Sequence, residues 1–212
     1  MFKKAFTLAE ILIVMAIIGT VAVATIPNLV DSYKEERDIA KLRGVYHDLE
    51  VALAKSVAEY GPLEAWNSTS KTRVNILTKY LKATPCGTVI NNSCYPSNVF
   101  GNNASFYKYE LENGVGISVT FRLNIFTLMV ALDGAKGKNV IGKNIFRIGY
   151  STENGIYPYG NKMDREDNGA FKTLTSNNNS IGYTTNWAIT NGNMDYLKCA
   201  SKLNWTNQTS CP

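Results

Sequence analysis

From Phe6 to Val30 the chain is apolar at almost every position, FTLAEILIVMAIIGTVAVATIPNLV, with Glu10 the single acid in the run. As a helix rising about 1.5 Å per residue, this run extends about 37 Å, more than a hydrocarbon core of about 30 Å. It predicts a membrane-crossing segment. From Asp31 charges enter, yet Ile39, Leu42, Tyr46, Leu49, Leu53, Val57 and Tyr60 follow steps of three and four, the apolar stripe of an amphipathic helix. Gly61-Pro62 ends the pattern. The prediction is one rod from Phe6 to about Tyr60, its first half suited to lipid and its second half facing a globular head. Pro27 removes one internal hydrogen bond late in the span and predicts a kink there.

After the rod the period changes. Leu63 to Phe100 reads as a connecting region with a short helix around Thr72 to Leu81. Ser105 to Glu112 then alternates aromatic and polar residues, Asn113-Gly114 offers a tight turn, and Val115 to Leu123 places Ile117, Val119 and Phe121 on one face. Ile125 to Leu132 is a nearly continuous apolar strand, as expected of a central position, and Asn144 to Tyr150 predicts a fourth. The fold class expected is α+β: a long N-terminal helix packed on a small antiparallel sheet of about four strands, whose apolar face accepts the helical stripe. Ser151 to Ser180 reads as loop. In the tail, Trp187 and Ile189 are expected to pack into the head, with a turn at Asn191-Gly192.

Composition sharpens the compartment. The chain of 212 residues allows one ordinary domain plus its membrane helix. Beyond the helix it is rich in Asn, Gly, Thr, Ser and Tyr, which suits an extracytoplasmic β-rich surface. The formal net charge of +5 is mild and its cations are scattered, so no nucleic-acid partner is expected. Cys86, Cys94, Cys199 and Cys211 form two local pairs by spacing, and in an exported domain they read as disulfides, although four cysteines allow three connectivities. A zinc site needs closer ligand spacings than either pair supplies, and the single histidine, His47, falls in the predicted helix beside its stripe.

Glu10 raises the functional question. A carboxylate at the centre of a spanning helix costs about 2.5–3.5 kcal/mol on insertion scales, and an intramembrane acid is by default a functional candidate. Near the start of the span, Glu10 avoids part of that cost by reaching toward the headgroups. The leader Lys3-Lys4-Ala5 followed by FTLAE and an apolar helix resembles the processing and assembly signal of type IV pilins and type II secretion pseudopilins. The resemblance implies a pilin-like fold, cleavage by a prepilin peptidase between Ala5 and Phe6, N-methylation at Phe6, and an assembly role for Glu10. Gly is the more usual residue before the cut, and Ala5 stands in its place. Cleavage would create an amine at Phe6, which a neighbouring subunit could set against Glu10, rewarding one stagger because either charge alone is expensive to bury.

The organisation implied is a leader at 1–5, a transmembrane or filament-core helix at 6–30, its amphipathic continuation at 31–61, and an extracytoplasmic head at 62–212. Lys3 and Lys4 would hold the leader in the cytoplasm, making a single-pass inner-membrane protein before assembly. The implied partners are the prepilin peptidase, other pilin or pseudopilin subunits, the inner-membrane assembly machinery, and membrane lipid until assembly. The segment Ala131 to Ile148 also resembles a turn of pilin-like secretion proteins, matching at Asp133, Gly134, Lys136, Gly137, Asn139, Gly142 and Phe146, with Lys138 in place of Pro and Asn144 in place of Asp. Some pseudopilins bind calcium in loops. A hard cation wants several clustered oxygens and this turn supplies one carboxylate, Asp133, so a glycine turn is the reading and no cofactor is expected. Asp164, Glu166 and Asp167 form a second acidic group, read as solvated surface.

Two other readings remain open at this point. Ile11 to Val21 followed by Ala22-Val23-Ala24 resembles a secretory signal cleaved before Thr25, and Glu10 together with the apolar continuation to Val30 argues against it. A membrane-tethered or secreted binding module that does not polymerise is the functional alternative. The chain shows no nucleophile-base pair and no phosphate loop, so an enzyme is not expected.

Overall fold

A computed structural model describes residues 7–66, 69–86, 94–96, 106–122, 125–137, 139–160 and 181–212. It divides into two units, residues 1–37 and residues 38–212, and the first helix, α1 (Leu8–Tyr60), contributes to both. After α1 come a 3-10 turn (Leu63–Ala65), α2 (Ser70–Tyr80), strands β1 (Ala83–Pro85), β2 (Tyr107–Leu111), β3 (Gly116–Arg122), β4 (Ile125–Ala131), β5 (Ile145–Ser151) and β6 (Gly155–Pro158), then α3 (Ile181–Asn191) and α4 (Tyr196–Cys199). The α+β class holds. The α1 helix runs unbroken through Pro27.

The sheet is antiparallel and follows chain order, β1-β2-β3-β4-β5-β6. It has six strands where four were expected. The additional two are the edges, and both are short and end in proline. Cys86 N–H donates to Lys108 O on β2, so the preceding Pro85 nitrogen faces away from the sheet. Tyr159 N–H likewise donates to Arg147 O on β5, which turns the Pro158 nitrogen outward. An edge strand can hold proline only where the missing donor faces out, and there it blunts pairing with another chain. The β2–β3 connection turns at Glu112 to Gly114, with Leu111 N–H on Val115 O and Gly114 at φ +78°.

The inner face of the sheet carries Leu111, Ile117, Val119, Phe121, Phe126, Leu128, Val130, Phe146 and Ile148, packed in one core with α1, α2 and Trp187 of α3. The α1 residues buried there are Asp38, Ile39, Leu42, Val45, Leu49, Ala52 and Ser56. This corrects the predicted stripe. Its centre lies along Leu42, Val45, Leu49, Ala52 and Ser56, while Tyr46, Leu53 and Val57 flank it and Tyr60 is 40% exposed. Small residues at 52 and 56 score poorly as hydrophobic yet allow close approach, and Ser56 Oγ donates to Ile76 O of α2 at 3.3 Å.

A smaller core lies on the outer face, where Cys94, Tyr95, Phe106, Met129, Ala131 and Ile145 pack together. Gly116 makes room for it: a Cβ at that position would fall 2.1 Å from Cys94 O. Burial on this side pushes the Tyr95 phenol well above its usual range. The predicted helix near Thr72 to Leu81 is α2, capped by Thr69, whose side chain accepts from Thr72 N–H. The tail Ile181 to Asn191, expected only to pack through side chains, is helical, with Trp187 and Ala188 fully buried.

The corrected stripe separates two substitutions that the period alone treats alike. Leu49→Ala should lower the unfolding free energy by about 2–5 kcal/mol, as for other fully buried leucines, and Tyr60→Ala by less than about 1 kcal/mol. Urea unfolding in detergent, followed by tryptophan fluorescence, measures both; equal losses would restore the original stripe.

Candidate functional site

The first unit is built around the start of α1. Ala5 and Phe6, the expected cleavage pair, lie outside the described residues, as do Lys3 and Lys4. Thr7 is the residue before the helix and Glu10 lies in its first turn. Thr7 N–H and the Thr7 hydroxyl both donate to Glu10 Oε2, at 2.8 and 2.9 Å, and Glu10 N–H donates back to Thr7 Oγ1 at 3.2 Å. This is a capping box: each side chain satisfies a backbone donor that the first helical turn leaves open. The Thr-Leu-Ala-Glu spacing that signals it was present in the sequence, where Glu10 was weighed as a membrane charge and as a partner for a neighbouring subunit's amine and not as a helix cap.

The cap changes the electrostatics of Glu10. A carboxylate that accepts two hydrogen bonds at a helix N-terminus also meets the positive end of the helix dipole. A cost of holding it near lipid would then be partly offset inside its own chain. The other hydroxyls of the run are treated alike: Thr20 donates to Ile17 O at 2.9 Å and Thr25 to Val21 O at 3.0 Å. Where water is scarce, such back-bonding keeps polar groups satisfied without a partner helix.

Around these groups the apolar side chains point outward. Leu8, Leu12, Ile13, Met15 and Leu29 are all exposed, and the most apolar window of α1 has a mean hydropathy of 2.4 with none of it buried. The helix is long and apolar enough to cross a membrane.

Elsewhere the expected site residues resolve into structural roles. Cys86 is joined to Cys94 and Cys199 to Cys211, each pair with Cα atoms 5.8 Å apart. Pro27 lies within α1, where its missing N–H leaves Val23 O without that helical donor. His47 is on the exposed side of α1. In the 133–146 turn, Asn144 Nδ2 donates to Asp133 Oδ2 at 3.0 Å and Asn144 Oδ1 accepts from Val140 N–H at 2.7 Å. Asp133 is therefore held by an amide inside the turn. Gly134 and Gly142 take φ +59° and +76°, and a Cβ on Gly137 would meet that of Asp133 at 2.6 Å. The glycines answer to backbone geometry. Asp164, Glu166 and Asp167 lie outside the described residues.

Removing the cap hydroxyl should loosen the first turn while sparing the rest of the helix. For Thr7→Val in detergent micelles the expected result is amide exchange at Glu10 faster by roughly 2- to 30-fold, the range of an N-cap loss of about 0.5–2 kcal/mol. Thr7→Ser should exchange like the parent. Unchanged exchange at Glu10 in Thr7→Val would show that the hydroxyl does not cap the helix.

Compared with family models, curated proteins and solved structures, the chain finds no match in any of the three.

Proposed function

We propose that this chain is a pilin-like structural subunit. It is inserted as a single-span precursor with its head outside the cytoplasm, processed by a prepilin peptidase between Ala5 and Phe6, N-methylated at Phe6, and assembled through its N-terminal helix into a type IV pilus or type II secretion pseudopilus. The observation that carries this reading is the division of labour along α1. Residues 38–60 are the helical layer of the head, whereas none of the apolar window of the first half is buried among the described residues, and a capped carboxylate stands in its first turn.

Such a surface has two suitable surroundings, lipid and other helices of the same kind. Packing against other subunits removes it from lipid without any new side-chain chemistry. Glu10 gives that packing a register, since a neighbour's Phe6 amine would meet it at one stagger only. The inner-membrane assembly machinery supplies the extraction from the bilayer. A tether that never polymerises would keep the same helix in lipid, and the two outcomes separate by experiment.

Sequencing of the mature N-terminus should begin at N-methylated Phe6, and sheared fibres should contain the protein crosslinked through its N-terminal helix. Glu10→Ala and Glu10→Gln should insert normally and assemble poorly. Normal filament yield from both variants removes the assembly role of Glu10; an N-terminus at Met1 or Thr25, or a protein that stays monomeric, removes the pilin reading itself.

A further inference from the structure

The C-terminal tail is fastened to the head by more than its disulfide. After α3, Asn193 and Asp195 stand at the entry to α4 and hold two points of the tail. Asn193 Nδ2 donates to Thr209 O at 2.8 Å, and Cys211 N–H donates to Asp195 Oδ2 at 2.8 Å. The two holding residues are themselves fixed. Asn193 Oδ1 accepts from Trp187 Nε1 at 2.9 Å and from Asp195 N–H at 3.1 Å, and Lys198 Nζ donates to Asp195 Oδ1 at 3.1 Å.

The tail carries its own fold and its own anchor. Asn204 Oδ1 accepts from the N–H groups of Thr206, Asn207 and Gln208, at 3.0, 2.9 and 3.2 Å, closing a turn within the tail. Beside that turn the Trp205 ring meets Trp187 edge-on, centroids 4.8 Å apart, and Leu203 packs on the main core. Trp187 is fully buried, so the tail covers one of the largest side chains in the head. None of these contacts requires a sulfur–sulfur bond.

We propose that Asn193 and Asp195 are positioning residues for oxidation: they dock the reduced tail, setting Cys211 beside Cys199 before the disulfide forms. Cys199 is in place by a separate route, because its N–H closes the α4 turn onto Asp195 O at 2.8 Å. One residue, Asp195, thus touches both partners of the bond. Closure takes one proton and one electron from each Sγ, and a disulfide-bearing oxidant accepts both electrons and both protons and leaves as two thiols. With four cysteines and three possible pairings, a tail docked in advance selects this one by raising the local concentration of the correct thiol. The inference is independent of filament assembly.

The test uses the full chain in detergent, equilibrated across glutathione redox buffers, with each cysteine pair quantified by differential alkylation and mass spectrometry. Asp195→Ala and Asn193→Ala should each shift the midpoint of Cys199–Cys211 toward the reduced form by roughly tenfold, the loss of one well-made hydrogen bond to a charged or fixed group. Asp195→Asn, which keeps an acceptor, should fall between parent and Asp195→Ala. The Cys86–Cys94 pair in the same samples should move less than about twofold. Cys199→Ser with Cys211→Ser should keep part of the near-ultraviolet circular dichroism of the Trp187–Trp205 pair, as expected of a tail that docks fractionally before the bond forms, and adding Asp195→Ala should remove most of what is left. Unchanged midpoints in both alanine variants, an equal shift of both cysteine pairs, or complete loss of the tryptophan signal in the double serine variant would each overturn the proposal.

Discussion

The head depends on one contact, the strip of α1 from Ile39 to Ser56 laid against the inner face of the sheet. A sheet with one apolar face must bury that face against another element, and an isolated amphipathic helix is marginal in water. Each supplies the surface the other lacks. The strip narrows from Leu42 and Leu49 to Ala52 and Ser56 toward the end of the helix, and this taper gives α2 space to enter beside it, with Val74 and Leu77 in the shared core. α3 reaches the same core through Trp187.

Apolar contact alone leaves a helix free to rotate or slide by small steps. Three long side chains on α1 remove that freedom by donating to carbonyls on three different elements. Lys41 Nζ reaches Leu132 O after β4 at 3.5 Å, Arg43 reaches Ile189 O near the end of α3 at 2.7 and 3.1 Å, and Tyr46 OH reaches Ile156 O on β6 at 3.0 Å. The Arg43 bond also sets a cation at a helix C-terminus, where the dipole favours it. Its neighbour there is Gly192 at φ +68°, and a Cβ on that residue would lie 3.1 Å from Arg43 Nη2. Tyr46 occupies an outward-facing carbonyl of β6, so the helix that covers the sheet also protects one of its edges, the one already blunted by Pro158.

What was legible in the sequence follows the strength of each local pattern. The rod, the β2–β3 hairpin and β4 were legible because their periods run over many residues and end in Gly or Pro. The edge strands were not: three or four residues carrying a proline do not resemble a strand until a neighbour offers them hydrogen bonds. The α3 helix, with Gly182, Thr184, Thr185 and Asn186 in its run, has little helical propensity and is held by the burial of Trp187 and Ala188. The stripe was offset because Ala52 and Ser56 contribute by being small. At the candidate site the residue, Glu10, was legible and its partner, Thr7, was not, although the capping spacing joins them.

That partner alters what Glu10 could do in the proposed filament. A bare carboxylate would gain the full attraction of a neighbouring amine. Glu10 already holds two donors from Thr7, and hydrogen bonds to a charged group are among the stronger ones. If the amine displaces them, it exchanges two hydrogen bonds for one ion pair, and part of the gain is lost. If it joins them, the gain is limited by how many donors one carboxylate can seat. In both cases the proposed ion pair would contribute little net affinity, and holding such a filament together would fall to the outward-facing side chains between Leu8 and Val30. The proposed pair would act on register instead: a subunit at the wrong stagger would leave an amine in a low-dielectric bundle without a carboxylate.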